Sequence, residues 1–258
     1  MNPPLVVVGD RFEEFLALPG AIGATDLLER LRTWSAADGD TPYAVTVGQG
    51  LTAGQLAELR AAAGAADGRL AVGPDGVPEP SERTVTHKAF DKNVLIGAVE
   101  RLGPEHYRTP LVLDERVEVL EDHLTGLHIP AVTLLEAARQ TWTAVTEQFL
   151  VPAEPATRFV IGHVDSTFES LVFPLPAHLE YRLTDQRATA TGQSLSFTVT
   201  VHQTGRTAAR FAAQIHSIQR LFAVKQEHMA ARQELRTVLT AHRTAEPPVP
   251  ALAATAGA

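Results

Sequence analysis

Short apolar runs of β type alternate with helical patterns from the N-terminus to about residue 72. LVVV (5–8), YAVTV (43–47) and RLAV (69–72) are separated by TDLLERLRTW (25–34) and TAGQLAELRAAA (52–63). That order predicts a small βαβαβ unit. Thr52 followed by Gln55 fits a capping box at the start of the second helix. GPDGVPEPSE (73–82) then collects three prolines and two glycines and reads as a linker. Beyond it the pattern changes. HYRTPLVLD (106–114) is strand-like, 131–149 is a strongly apolar helix, and from about Arg158 the chain reads as consecutive antiparallel strands. The last two, LSFTVTVHQ and RTAARFAAQIHSI, flank a Thr204-Gly205 hairpin signal. A polar helix and a Pro/Ala-rich tail follow. The expected division is a small α/β domain at 1–80, a second domain at 81–222, a helix at 223–240 and a disordered tail at 241–258.

Between Ala131 and Phe149 the apolar and alanine positions occupy much of the helix circumference, which predicts a buried helix. One long buried helix followed by antiparallel strands is the pattern of a curved sheet wrapping a single helix. The predicted class is therefore α+β, a hot-dog fold preceded by a small α/β unit. Within this helix Glu136 precedes Arg139 and Gln140 by three and four residues, so all three share a face. A charge there costs several kcal/mol unless paired and hydrogen-bonded. The pair is either a structural ion pair or part of an active site.

Composition narrows the function classes. Of the 258 residues 45% are hydrophobic and 20% charged, as in ordinary folded proteins. The net charge of -8, without a Lys/Arg-rich face, argues against a nucleic-acid partner. With no cysteine, thiolate nucleophiles and Cys-ligated zinc are excluded. No segment has the length and apolarity of a signal peptide or membrane span, so a cytoplasmic protein with no membrane partner is expected. His123 and His128 lie just before the apolar helix, and His87 stands in THKAF. His163 and Asp165 form an HxD pattern on a predicted strand. Scattered histidines make no metal site, and no cofactor is expected. Gly48, Gly50 and Gly54 follow a strand, but their spacing is one residue off a dinucleotide fingerprint.

IPAVTLLEAARQTW (129–142) resembles the helix motif of the A-factor biosynthesis (AfsA-like) hot-dog family, whose pattern runs roughly DHxPGMxLLEAARQ. More distantly it is similar to the 3-hydroxyacyl carrier-protein dehydratases. THKAFDKNVLIG (86–97), FESLVFPLPAHLEYRL and VTVHQTGRTAA resemble other parts of the same family, so the likeness covers about 84–220. It implies an enzyme acting on an acyl thioester of a carrier protein or coenzyme A. The reaction implied is β-ketoacyl transfer to a glycerone-phosphate-type hydroxyl, or else dehydration, hydrolysis or cyclisation. A non-catalytic acyl- or lactone-binding protein is the alternative of another class. Glu136 and Arg139 map onto the family's suspected catalytic pair, with His128 and His123 as further catalytic candidates. Gln140, Gly126, Ala131 and His87 are the expected substrate contacts. Glu136, partly desolvated, is expected to have a raised pKa. The sequence departs from the pattern at Leu127, where Asp is expected, and at Ala131, where Gly is expected. Only one hot-dog repeat is visible, so a homodimer should supply the second.

Overall fold

The structure, a computed structural model, describes residues 3–34, 42–65, 68–123 and 125–244. The N-terminal unit consists of β1 (Leu5–Val8), α1 (Glu13–Leu16), β2 (Ala21–Gly23), α2 (Ala24–Thr33), β3 (Tyr43–Val47), α3 (Ala53–Ala63) and β4 (Leu70–Val72). Its four strands run in the order β2-β1-β3-β4, all parallel. The single-turn α1 and the three-residue β2 add to the expected elements; both are too short to show a period. α3 starts with the capping box that Thr52 and Gln55 announced.

The second unit contains α4 (Arg83–Thr86), β5 (Glu100–Gly103), β6 (His106–Pro110), α5 (Glu118–Glu121) and the long α6 (Ala131–Val145), which ends in a π turn. Four long strands follow, β7 (Thr157–Phe168), β8 (Ala177–Thr189), β9 (Gly192–Gln203) and β10 (Arg206–Gln219). An antiparallel sheet of order β5-β6-β8-β9-β10-β7 curls round α6, which is the hot-dog arrangement. Leu134, Ala137, Ala138, Trp142 and Val145 bury the helix against Leu179, Phe197, Val199, Phe211 and Ile215 of the sheet. The closing helix α7 spans Arg220–Thr244, longer at both ends than the expected 223–240. Of the expected disordered tail, 241–244 belong to α7 and 245–258 lie outside the described residues. No helix among the described residues is long and apolar enough to cross a membrane.

The two units are joined through a buried glutamine. Gln49, at the carboxyl end of β3, is 3% exposed. It donates through Nε2 to the Leu111 carbonyl at 3.0 Å and accepts the Leu113 N–H at 2.9 Å. Its own N–H donates to the Pro174 carbonyl at 3.1 Å. A Cβ on Gly48 would lie 2.2 Å from that carbonyl oxygen, and Gly50 has φ +93°. The glycines thus serve close backbone approach. In open parallel sheets, ligands bind at the carboxyl ends of the strands. Here the hot-dog unit fills that place.

Candidate active site

α6 begins at Pro130, whose ring fixes φ near the value a helix start requires. The Ile129 N–H donates to the Val172 carbonyl at 2.7 Å and anchors that entry. Most of α6 is buried, yet Val132 and Leu135 are exposed, and Glu136 and Arg139 lie on the same partly open side.

Arg139 holds Glu136 through two parallel hydrogen bonds, Nε to Oε2 at 2.8 Å and Nη2 to Oε1 at 2.9 Å. Nη2 also donates to the Thr86 carbonyl at 3.0 Å. Lys88 Nζ forms a second ion pair with Glu136 Oε1. Gln140 Nε2 donates to Glu136 Oε1 at 3.0 Å and to the Asn93 carbonyl at 2.8 Å, while its Oε1 accepts the Leu95 N–H at 2.8 Å. Gln140 is fully buried, so removing it leaves two backbone groups unpaired. Burial pushes the Glu136 carboxyl up, but the hydrogen bonds and charges of Arg139 and Lys88 outweigh it and hold the group below its ordinary range. The expected raised pKa is therefore reversed in direction. Two cations within contact stabilise the carboxylate more than partial desolvation costs it.

The other candidates separate. His87, at the end of α4, has φ 56°, a left-handed conformation uncommon outside glycine. Its Nε2 lies 2.8 Å from Glu147 Oε1 at the far end of α6, and its ring stacks on Phe159 at 6.1 Å between centroids. His87 and Arg139 line one cavity of about 580 Å³, together with Trp142, Phe159 and Ile161. His128 bonds Thr125 Oγ1 at 3.1 Å, and His123 accepts the Thr125 N–H at 3.4 Å. Neither is among the hydrogen-bond partners of Glu136. Gly126 faces α1, where its carbonyl accepts the Phe15 N–H at 3.3 Å and a Cβ would meet Glu14 at 3.5 Å. Ala131 is exposed at the helix start, about 12 Å along the axis from Arg139. His163 and Asp165 sit opposite Gln214 and Ala212 on the outer face of the sheet. The bulge near Gly162 shifts the register there, so Val164 and Phe168 face inward instead. Lys88 was missed from sequence. A lone lysine beside a histidine carries no signal until the chain folds back on α6. Among the described residues no group of three or more His, Asp or Glu converges on a metal position.

The family model described as the A-factor biosynthesis hot-dog domain matches residues 71–219, more than half of the chain. The chain belongs to that family. Its match starts within β4 of the N-terminal unit and ends with the last residue of β10. No curated protein matches the sequence. Among solved structures, the AfsA-family chain is similar to a mutant thioesterase from Pseudomonas aeruginosa (TM-score 0.39, 12% identity, 55% of this chain and 94% of that one). It is also similar to a conserved protein from Pseudomonas aeruginosa (TM-score 0.39, 13% identity, 54% and 100%). A thioesterase from Haemophilus influenzae matches with TM-score 0.36 and 10% identity over 48% and 78% of the two chains.

Proposed function

We propose that this AfsA-family protein is an enzyme acting on an acyl thioester of a carrier protein or coenzyme A, and that it transfers a β-ketoacyl group to a glycerone-phosphate-type hydroxyl. The observation that carries this reading is the cavity in which Arg139, fixed by an ionised Glu136, faces His87, itself held by Glu147. A carboxylate bound by two cations and a glutamine is a poor proton acceptor, so Glu136 acts as the clamp that orients Arg139. With Nε2–H donated to Glu147, His87 keeps Nδ1 free to take the proton of the acceptor hydroxyl. The hydroxyl oxygen then bonds to the thioester carbonyl carbon, and Arg139 stabilises the oxyanion that forms. As that intermediate collapses the C–S bond breaks, and the sulfur leaves as a thiol carrying the proton from His87.

The full pairing of Glu136 also favours a second reading, a non-catalytic acyl-binding protein in which the pair is structural. Mass spectrometry of carrier-protein thioesters with the protein, with and without dihydroxyacetone phosphate, separates the two. Acyl transfer that needs the acceptor and is lost in folded His87→Ala supports the enzyme. Hydrolysis without an acceptor moves the reaction to a thioesterase, dehydration to a dehydratase, and absence of any reaction supports the binding protein.

A homodimer is part of this proposal. Among the described residues one edge of the twelve-residue β7 has no partner strand in the sheet, and Val160, Ile161 and Phe168 on it are 44%, 51% and 46% exposed. An unpaired apolar edge of that length pairs readily with a second copy. Ile161→Lys is expected to shift sedimentation from dimer to monomer; a monomeric wild type would end this part of the proposal.

A further inference from the structure

The cavity beside Arg139 has a second wall made by β7 and α7. Arg158 and Arg220 line it with Glu227. Arg158 pairs with Glu227 across the two elements. The Arg220 backbone N–H donates to the Ala156 carbonyl at 2.8 Å, but its guanidinium has no partner among the described residues. Three guanidinium groups thus share one cavity with a single carboxylate, in a chain whose net charge is -8. Arg139 brings Glu136 as its counterion, but Lys88 shares that same carboxylate. The local excess is cationic and is not a surface average. Arg139, Lys88, Arg158 and Arg220 together exceed Glu136, Glu227 and the Glu147 that holds His87 by one positive charge, and the planar forked guanidinium matches phosphate oxygens. The volume of about 580 Å³ lies within the range of small-ligand sites.

We infer that Arg220, with Arg158 and Arg139, forms a subsite for a phosphate group of the substrate, so that α7 carries a specificity element of the enzyme. The inference rests on reading this cavity as the reaction site. Arg220 lies one residue beyond the family match, so the family pattern does not supply it. Phosphate can reach the cavity from two sources, the pantetheine arm of the thioester or a phosphorylated acceptor.

Calorimetric titration of the full chain with phosphopantetheine against pantetheine, and with dihydroxyacetone phosphate against dihydroxyacetone, tests the subsite and identifies the source. The phosphorylated member of one pair is expected to bind about tenfold or more tightly than its partner. Arg220→Gln should remove most of that preference and Arg220→Lys should restore part of it. Lys225→Gln, an exposed cation of α7 outside the cavity, should leave it unchanged. Absence of preference in both pairs, or a preference that survives Arg220→Gln, overturns the inference. Binding needs no turnover, so the two readings fail separately. A protein that prefers phosphates but transfers no acyl group keeps the subsite and loses the transferase. One that transfers equally well with dephosphorylated partners loses only the subsite.

Discussion

Arg139 grips Glu136 one turn earlier on α6 with both arms of its guanidinium, at 2.8 and 2.9 Å. Lys88 joins the same carboxylate from the segment after α4, so the three residues tie α6 to a distant stretch of chain. Glu136→Gln leaves both cations short of their counterion. A fully buried pair broken in this way costs about 3–5 kcal/mol; with Glu136 and Arg139 still 22% and 26% exposed, a loss of about 1–3 kcal/mol is expected. Urea unfolding measures it. An unchanged midpoint would show that the clamp contributes nothing to folding.

The depressed Glu136 pKa also makes a kinetic statement. A carboxyl held below its ordinary range does not titrate near neutrality. Any acid limb of kcat/KM near neutrality then belongs to a group other than Glu136, and it should persist in Glu136→Gln. If the limb disappears in Glu136→Gln, Glu136 is the base and its role as clamp is overturned.

Gln49 is the weld between the two units. Gln49→Ala leaves the Leu113 N–H and the Leu111 carbonyl without their buried partner, at a cost of about 2–4 kcal/mol. Hydrogen exchange should rise at Leu113 and along β3 before it rises in the strands around α6. Uniform loss of protection would show that the two units unfold together.

Glu180 on β8 predicts the acid behaviour. Burial pushes its carboxyl up, but hydrogen bonds from Arg108 and His106 dominate and bring it down to about 2. A lowered folded-state pKa contributes stability that is complete above the ordinary value of 4.5 and is lost as pH falls from there through about 2. Melting temperature should therefore fall over that interval in the wild type, and less steeply in Glu180→Gln. Equal slopes would remove Glu180 as a source of acid sensitivity.

The elements with a strong period were legible from the chain: the three apolar runs of the N-terminal unit, the buried α6 and the long final strands. β2 and α1 were not, because three or four residues carry no period and their neighbours hold them. Within the site, Glu136, Arg139 and Gln140 were visible because helical spacing puts them on one face. His87 was legible only as part of a family motif, and Lys88, Glu147 and Arg220 were not legible at all. With His87 they reach the same place from three separate segments.

The sequence by itself determined a hot-dog domain with a charged helix face, since periodicity and local spacing are properties of neighbouring residues. Only the tertiary structure decided how that face is used. The ionisation of Glu136 depends on whether Arg139 and Lys88 outweigh burial, and Lys88 reaches it from a distant stretch of the chain. A single bulge near Gly162 likewise turned His163 and Asp165 to the outer face, because one extra residue reverses the side-chain alternation of a strand.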